Sequence, residues 1–293
     1  MEIPVPASSA SRAFKSQLRR RVRLPVREVT AGLRAVPDVV IAGVQKGGTT
    51  PFFRALCAHP QALPGIVKET HYFDRHAARG PAWYRAHFPL EARRAWRERR
   101  LGAPVRVVEA TPDYVFDPRA PARIARALPE ARFVLFLREP VARARSNHRM
   151  VRARGYETLG FAEAMDAEAA RTAGEWERML AEPHYTSDPV RLFGYAARSR
   201  YADQLERWYA HVPASRTLVL QSERARARPA WAFRRITDFL GIAPGTPPAA
   251  APPAPPYAGL DPGLWREIAA RFEDQNRRVV ETLGWRPDWA PEG

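Results

Sequence analysis

Cysteine is nearly absent: Cys57 stands alone in 293 residues, so no intramolecular disulfide can form and no thiolate cluster can hold a metal. A reducing compartment is the expected setting. Long apolar runs are missing as well, since stretches such as Phe133 to Leu137 fall far short of the ~20 residues of a membrane-spanning helix. No transmembrane segment is expected. Residues 1–36 mix Pro, Ser and Arg without the ~7–15-residue apolar core of a secretory leader. Cytoplasmic residence without a Golgi-type anchor is therefore the expectation.

Lysine is the third scarcity. Only Lys15, Lys46 and Lys68 occur among 47 basic residues. A net charge of +16 and a pI near 10.9 point first to nucleic acid, because clustered arginines neutralise phosphates and release counterions. The same Arg, Ala and Pro bias, however, marks a GC-rich coding sequence in which arginine replaces lysine at ordinary solvated positions. The basic surface then says little about partners, and no nucleic acid is expected. The three lysines that remain carry more information.

What is present reads as a folded α/β protein. Apolar residues at 45% and charged residues at 27% match soluble globular proteins, and the length suits one or two domains of roughly 100–200 residues. Residues 1–36 read as a basic N-terminal arm, with Arg19-Arg20-Arg21 and Arg23 clustered in it. From residue 37 to 293 the pattern predicts a single doubly wound parallel sheet with helices on both faces. The strand candidates are Val39 to Ala42, Val105 to Val108, Phe133 to Leu137 and Thr217 to Leu220. Helical periodicity falls on 51–58, 121–128, 141–154, 161–172, 195–211, 229–240 and 262–283, several opened by a first-turn proline. Gly241 and Gly284 suit left-handed C-terminal caps. Residues 244–256 hold seven prolines and predict a stiff, extended loop.

Chemistry concentrates in three segments. The first is Gly43-Val44-Gln45-Lys46-Gly47-Gly48-Thr49-Thr50, between a strand and a helix. Successive N–H groups in such a turn, leading into a helix N-terminus, present partial positive charge to a phosphate. The frame is P-loop-like, yet Thr49 fills the usual lysine slot and the lysine comes three residues earlier. The second segment is Lys68-Glu69-Thr70-His71-Tyr72-Phe73-Asp74, where an extended chain would aim Glu69 and His71 to one side. In the third, a strand runs into Arg138-Glu139-Pro140, and Ser146 follows eight residues after the arginine. Either Arg138 binds a phosphate or it forms a capping ion pair with Glu139. Trp83, Trp96, Trp208, Trp231 and Trp265 read as core or groove residues. Arginines 145, 149, 152 and 154 read as a solvated face, with a surface for an anionic acceptor as the alternative, while Arg143 is placed near a nucleotide. No His/Cys/Asp spacing predicts a metal site.

Together the three segments resemble the 3′-phosphoadenosine 5′-phosphosulfate (PAPS)-dependent sulfotransferases, most closely the heparan-sulfate-type branch and its bacterial relatives. Ordered matches at Glu109-Ala110-Thr111-Pro112-x-Tyr114, Tyr201-x3-Leu205-x2-Trp208 and Phe239-Leu240-Gly241 extend the resemblance over residues 37–241. It implies PAPS as co-substrate and no metal. It also implies a phosphosulfate turn of Lys46, Gly47, Gly48, Thr49 and Thr50, with Lys46 near the bridging oxygen and the threonines on the 5′-phosphate. Arg138 and Ser146 take the 3′-phosphate, and Glu69, aided by His71, serves as base. Two departures stand out: Ala110 replaces a lysine frequent in glycosaminoglycan-modifying relatives, and their cysteine-bracketed C-terminal nucleotide loop is replaced by the proline-rich stretch and Tyr257. The expected activity is direct sulfuryl transfer to a hydroxyl, or less readily an amine, of a small-molecule or glycan acceptor. A small-molecule kinase using the same turn and a basic nucleic-acid-binding protein are the alternatives.

Overall fold

The computed structural model describes residues 24–250 and 259–290. The arginines at 19–21 and 23, the end of the proline-rich stretch and Tyr257 lie outside the described residues. Strands β1 (Val39–Gly43), β2 (Ala62–Pro64), β3 (Arg106–Ala110), β4 (Arg132–Leu137) and β5 (Thr217–Gln221) form one parallel sheet ordered β2-β3-β1-β4-β5. After β1 come helices α1 (Thr49–Ala58), α2 (Gly80–Arg85), α3 (Glu91–Leu101), α4 (Ala120–Ala127), α5 (Pro140–Ala153), α6 (Phe161–Arg171) and α7 (Glu175–Ala181). They continue with α8 (Asp188–Phe193), α9 (Tyr201–Tyr209), α10 (Ser222–Ala227), α11 (Pro229–Leu240), α12 (Pro262–Ala270) and α13 (Glu273–Leu283).

Strand side chains alternate between two cores, as the two-residue period of a strand requires. Val40, Ala42, Phe133, Leu135 and Leu137 pack with Ile124 of α4, Leu205 and Trp208 of α9 and Val279 of α13. Val39, Ile41, Val134 and Phe136 point the other way, onto Phe52 and Leu56 of α1 and Phe233, Ile236 and Leu240 of α11. Each fully buried side chain of this kind contributes about 1.5–3 kcal/mol over exposure, so both faces must be covered. This is why the strands read as continuous apolar runs. Since β3 and β4 flank β1 in parallel, their carboxyl ends and that of β1 open on one edge, where ligands of such sheets bind.

Elsewhere the structure departs from the sequence pattern. The helix expected over 195–211 is interrupted by a 3-10 turn at Ala197–Ser199. There Glu168 accepts the N–H groups of Ala196 and Ala197 and Arg143 takes the Tyr195 carbonyl, removing groups a continuous helix would use. The helix expected over 262–283 is two, because Ile268 and Phe272 pack against α5 and α6 whereas Val279 packs on the sheet. Strand β2 escapes notice because three residues show no period. Helix α3 escapes because none of its residues is buried, so no apolar stripe marks it. Trp96 on α3 is 54% exposed, against the core role expected, while Trp208 is fully buried. Gly241 and Gly284 have φ of 64° and 68°, the left-handed caps expected of them.

Candidate active site

The glycine-rich turn is built by contacts that leave little freedom. Gly47 donates its N–H to the Val44 carbonyl at 2.9 Å, and its own carbonyl accepts the Ser222 hydroxyl at 2.7 Å. A Cβ at Gly47 would meet the Phe136 carbonyl oxygen at 2.6 Å, so the close approach of turn and β4 demands glycine. Lys46 and Gly48 adopt left-handed φ values of 69° and 80°, a local geometry that makes backbone N–H groups converge. Thr49 and Thr50 then begin α1, where first-turn donors lack helical partners.

Arg138 leaves the end of β4 and donates to the Lys46 carbonyl at 3.1 Å, so the turn and the second strand end share one edge. Glu139 caps α5 by itself, accepting the Val141 and Ala142 N–H groups at 2.9 and 2.6 Å. The alternative of an Arg138–Glu139 capping pair is thereby replaced. Burial pushes the Glu139 carboxyl up to about 6 despite those two donors. Burial lowers the pKa of the Lys46 ammonium, and the charges of Arg138, Arg154 and Arg143 lower it further. Among the described residues, Lys46 meets no carboxylate; its Nζ lies 3.8 Å from Met150 Sδ. Arg143, expected beside the nucleotide, is fully buried and spends its guanidinium on Ser199 and the Tyr195 carbonyl.

Segment 68–75 is pinned beneath by a carboxylate at the end of β3. Glu109 is buried and accepts hydroxyls from Thr70 at 2.5 Å, Tyr114 at 2.7 Å, Thr111 at 3.0 Å, and Tyr84. Burial raises its pKa, and the donated hydroxyls pull it back. With the Glu69 N–H on the Ala110 carbonyl at 2.9 Å, Glu69 and His71 are held at the sheet edge. They do not share a face by extension, as expected, because both sit in left-handed backbone with φ of 65° and 51°. The outcome is the same juxtaposition by a tighter route: Glu69 Oε2 lies 3.9 Å from His71 Nε2. Glu69 also pairs with Lys68 at 2.5 Å.

His71 Nδ1 is 2.8 Å from Asp74 and 3.9 Å from Asp113. An ionised carboxylate can only accept, so Nδ1 carries the proton and Nε2 faces Glu69. Ligand atoms of His71, Asp74 and Asp113 lie within 4.8 Å of one another, but Asp113 is already bound by Arg198 at 2.6 Å and Arg75 at 2.7 Å. Burial alone would raise Asp113; Arg198, Arg75 and His71 override it and hold its carboxyl at about 2. The sequence reading missed this hub because Asp113, Arg198 and Arg75 are far apart in the chain.

Apart from Gly47 and the buried Arg143, the site residues expected from the sequence line one cleft of about 590 Å³: Lys46, Gly48, Thr49, Thr50, Arg138 and Ser146 towards the turn, Glu69 and His71 towards β3. Gly47 sits behind it as a structural element of the turn. Lys68, Arg75, Asp113, Met150, Arg154 and Arg191 line the cleft as well. For Arg154, the C-terminal cap of α5, the sequence held a signal, since it follows Ser146 and Met150 at four-residue steps.

Fold and site define an α/β protein in which a phosphate-type turn faces an acid–base cluster, an arrangement suited to group transfer from a nucleotide. Residues 37–245 match the Sulfotransferase family, and the chain belongs to that family of transferases. It is similar to heparan sulfate glucosamine 3-O-sulfotransferase 3B1 of Mus musculus, 31% identical over 72% of this chain and 48% of the relative. Heparan sulfate glucosamine 3-O-sulfotransferase 6 of Mus musculus is 31% identical over 82% of this chain and 62% of its own length. The chain thus spans about half to two-thirds of the length of these curated relatives. Among solved structures, a sulfotransferase from Alicyclobacillus acidocaldarius superposes with a TM-score of 0.64 at 26% identity, covering 86% of this chain and 98% of that one. Among the described residues no helix is long and apolar enough to cross a membrane.

Proposed function

We propose that this chain moves a sulfuryl group from PAPS directly to a hydroxyl, or less readily an amine, of a glycan or small molecule. One observation carries the reading: a single cleft holds an anion-receptive turn with an unpaired lysine at one end and the Glu69–His71 pair at the other. Bound PAPS supplies an activated sulfuryl group, and the residues present fit it. Lys46 and Arg138 close no ion pair among the described residues, so a polyanionic nucleotide complements them. Arg138 and Ser146 hold its 3′-phosphate; Gly48, Thr49 and Thr50 hold its 5′-phosphate. Lys46 stabilises the negative charge that grows on the leaving phosphate oxygen.

Glu69 takes the acceptor proton as general base. Its second oxygen faces His71 Nε2, and the Asp74 carboxylate on Nδ1 fixes the ring. With its proton on Nδ1, His71 can take a proton onward from Glu69 through Nε2. The names of the relatives support a glycan acceptor, and the single cysteine supports a cytoplasmic setting.

The test is incubation with PAPS and a panel of hydroxyl and amine acceptors, heparan-type oligosaccharides included, read as an ~80 Da gain by mass spectrometry. Transfer is expected with PAPS as donor and in excess EDTA, because cationic side chains and backbone N–H groups supply the charge stabilisation. A gain only with ATP and Mg²⁺ would establish a kinase instead.

A further inference from the structure

Helix α10 follows β5 and lies against the outer side of the glycine-rich turn. Two of its side chains, four residues apart and so on one helical face, reach that turn. Ser222 donates to the Gly47 carbonyl at 2.7 Å. Arg226 runs its stem over Gly48, with Cδ 3.6 Å and Cγ 4.0 Å from where a Gly48 Cβ would stand. Arg226 is half-buried as a residue, and its guanidinium forms no ion pair or hydrogen bond among those found for the described residues, although this protein is rich in arginine pairs such as Arg224–Asp288 and Arg234–Asp238. Arg138 also closes no ion pair, and the two are near enough that the charge of Arg226 disfavours the charge of Arg138, against the pull of Glu223. Two like charges held beside one turn cost free energy until an anion comes between them.

We propose that Arg226 is a second guanidinium of the nucleotide site, acting with Arg138 on a phosphate of the bound nucleotide. This rests on the PAPS reading above. Arg138 comes from the end of β4 and Arg226 from α10 beside Gly48, so the dianionic 3′-phosphate that Arg138 holds gains a second guanidinium. The planar guanidinium fork matches phosphate geometry, and the packing of the stem on Gly48 limits the rotamer entropy lost on binding.

The experiment is calorimetric titration of the full chain with adenosine 3′,5′-bisphosphate. Wild type is compared with Arg226→Met, which keeps the stem on Gly48 and removes the charge, with Arg226→Lys, and with Arg224→Ala as a nearby exposed control. Arg226→Met is expected to weaken binding roughly tenfold or more, and Arg226→Lys to recover part of it. Arg224→Ala should stay within about twofold of wild type, as an exposed ion pair would. Melting curves for all four proteins show whether each is folded, and Arg226→Lys carries the comparison if Arg226→Met is not. Wild-type affinity in Arg226→Met, or an equal loss in Arg224→Ala, overturns the role of Arg226 while leaving the PAPS reading in place. Absence of binding to wild type overturns both.

Discussion

At the scale of single residues, Lys46 and Arg138 line the cleft without a carboxylate partner among the described residues, while Glu69 has Lys68 beside it and His71 within 3.9 Å. Lys46 sits in left-handed backbone, near Arg138 and Arg154 and without a carboxylate, so its charge is available to whatever anion forms there. Lys46→Ala should lower kcat by roughly 10²–10³, the usual cost of losing one transition-state charge stabiliser. Affinity for the bisphosphate product should fall much less, because its other contacts remain. Lys46→Arg should rescue poorly, since a planar fork does not replace a compact ammonium. Steady-state rates beside calorimetry decide this, and near-wild-type kcat in Lys46→Ala would remove the lysine from the mechanism. Glu69→Gln keeps the shape and loses the base, with an expected fall in kcat of about 10²–10⁴ and nucleotide affinity preserved. His71→Ala should cost less. An active Glu69→Gln enzyme would instead make His71, backed by Asp74 at 2.8 Å, the proton acceptor.

At the scale of elements, site geometry is set by what stands behind the cleft. The turn after β1 is clamped between Phe136 of β4 and Ser222 of α10, and Gly47 is the residue that permits the approach. Gly47→Ala would place a methyl group 2.6 Å from one carbonyl oxygen and 2.9 Å from another. Backbone cannot yield as a flexible side chain would, so the turn must move off the strand. A loss of about 1–3 kcal/mol, typical of overpacking, is expected in denaturant unfolding, together with a larger fall in nucleotide affinity as the N–H groups lose register. Unchanged affinity would show that the turn tolerates displacement. The Glu109 clasp does the same for segment 68–75, with buried hydroxyls from four residues on one carboxylate.

For the whole molecule, buried carboxylates pull stability against pH in opposite directions. Burial pushes Asp38 and Glu139 up to about 6. Each therefore binds its proton more tightly folded than unfolded, and stability gained below the ordinary carboxylate pKa is lost as pH rises through about 6. Asp113 and Glu157 go the other way. Burial is overridden by Arg198 and Arg75 at the first and by Arg171, the Leu159 N–H and Tyr195 at the second, leaving both at about 2. Their contribution is present above the ordinary carboxylate range and disappears as pH falls through about 2. Unfolding free energy measured at constant ionic strength should thus peak near pH ~4, decline gradually as pH rises through about 6 and fall steeply towards pH ~2. Glu157→Gln should destabilise the protein at neutral pH by about 2 kcal/mol or more, because Arg171 loses its buried partner. That difference should shrink towards pH ~2, where wild-type Glu157 is protonated too. A pH-independent difference would show that Glu157 acts through packing alone.

The sequence by itself determined whatever is local. The apolar runs ending in glycine or arginine specify buried parallel strands, because a strand covered on both faces cannot alternate. The glycine-rich turn and first-turn threonines specify a turn whose N–H groups converge at a helix start, because backbone N–H geometry depends on neighbours in the chain. Lys46, Arg138, Ser146, Glu69 and His71 were legible for the same reason, each lying in a short segment with its own pattern. Tertiary structure alone decided what joins distant segments. Thr70 meets Glu109, Asp113 meets Arg198, and Arg226 reaches Gly48 only after the sheet brings three strand ends to one edge. Helices 195–211 and 262–283 broke where tertiary hydrogen bonds and the direction of two separate cores outweighed helical continuity. Periodicity records which face of an element is buried, whereas the partner of a buried charge is chosen by the packing of elements that are remote in the chain.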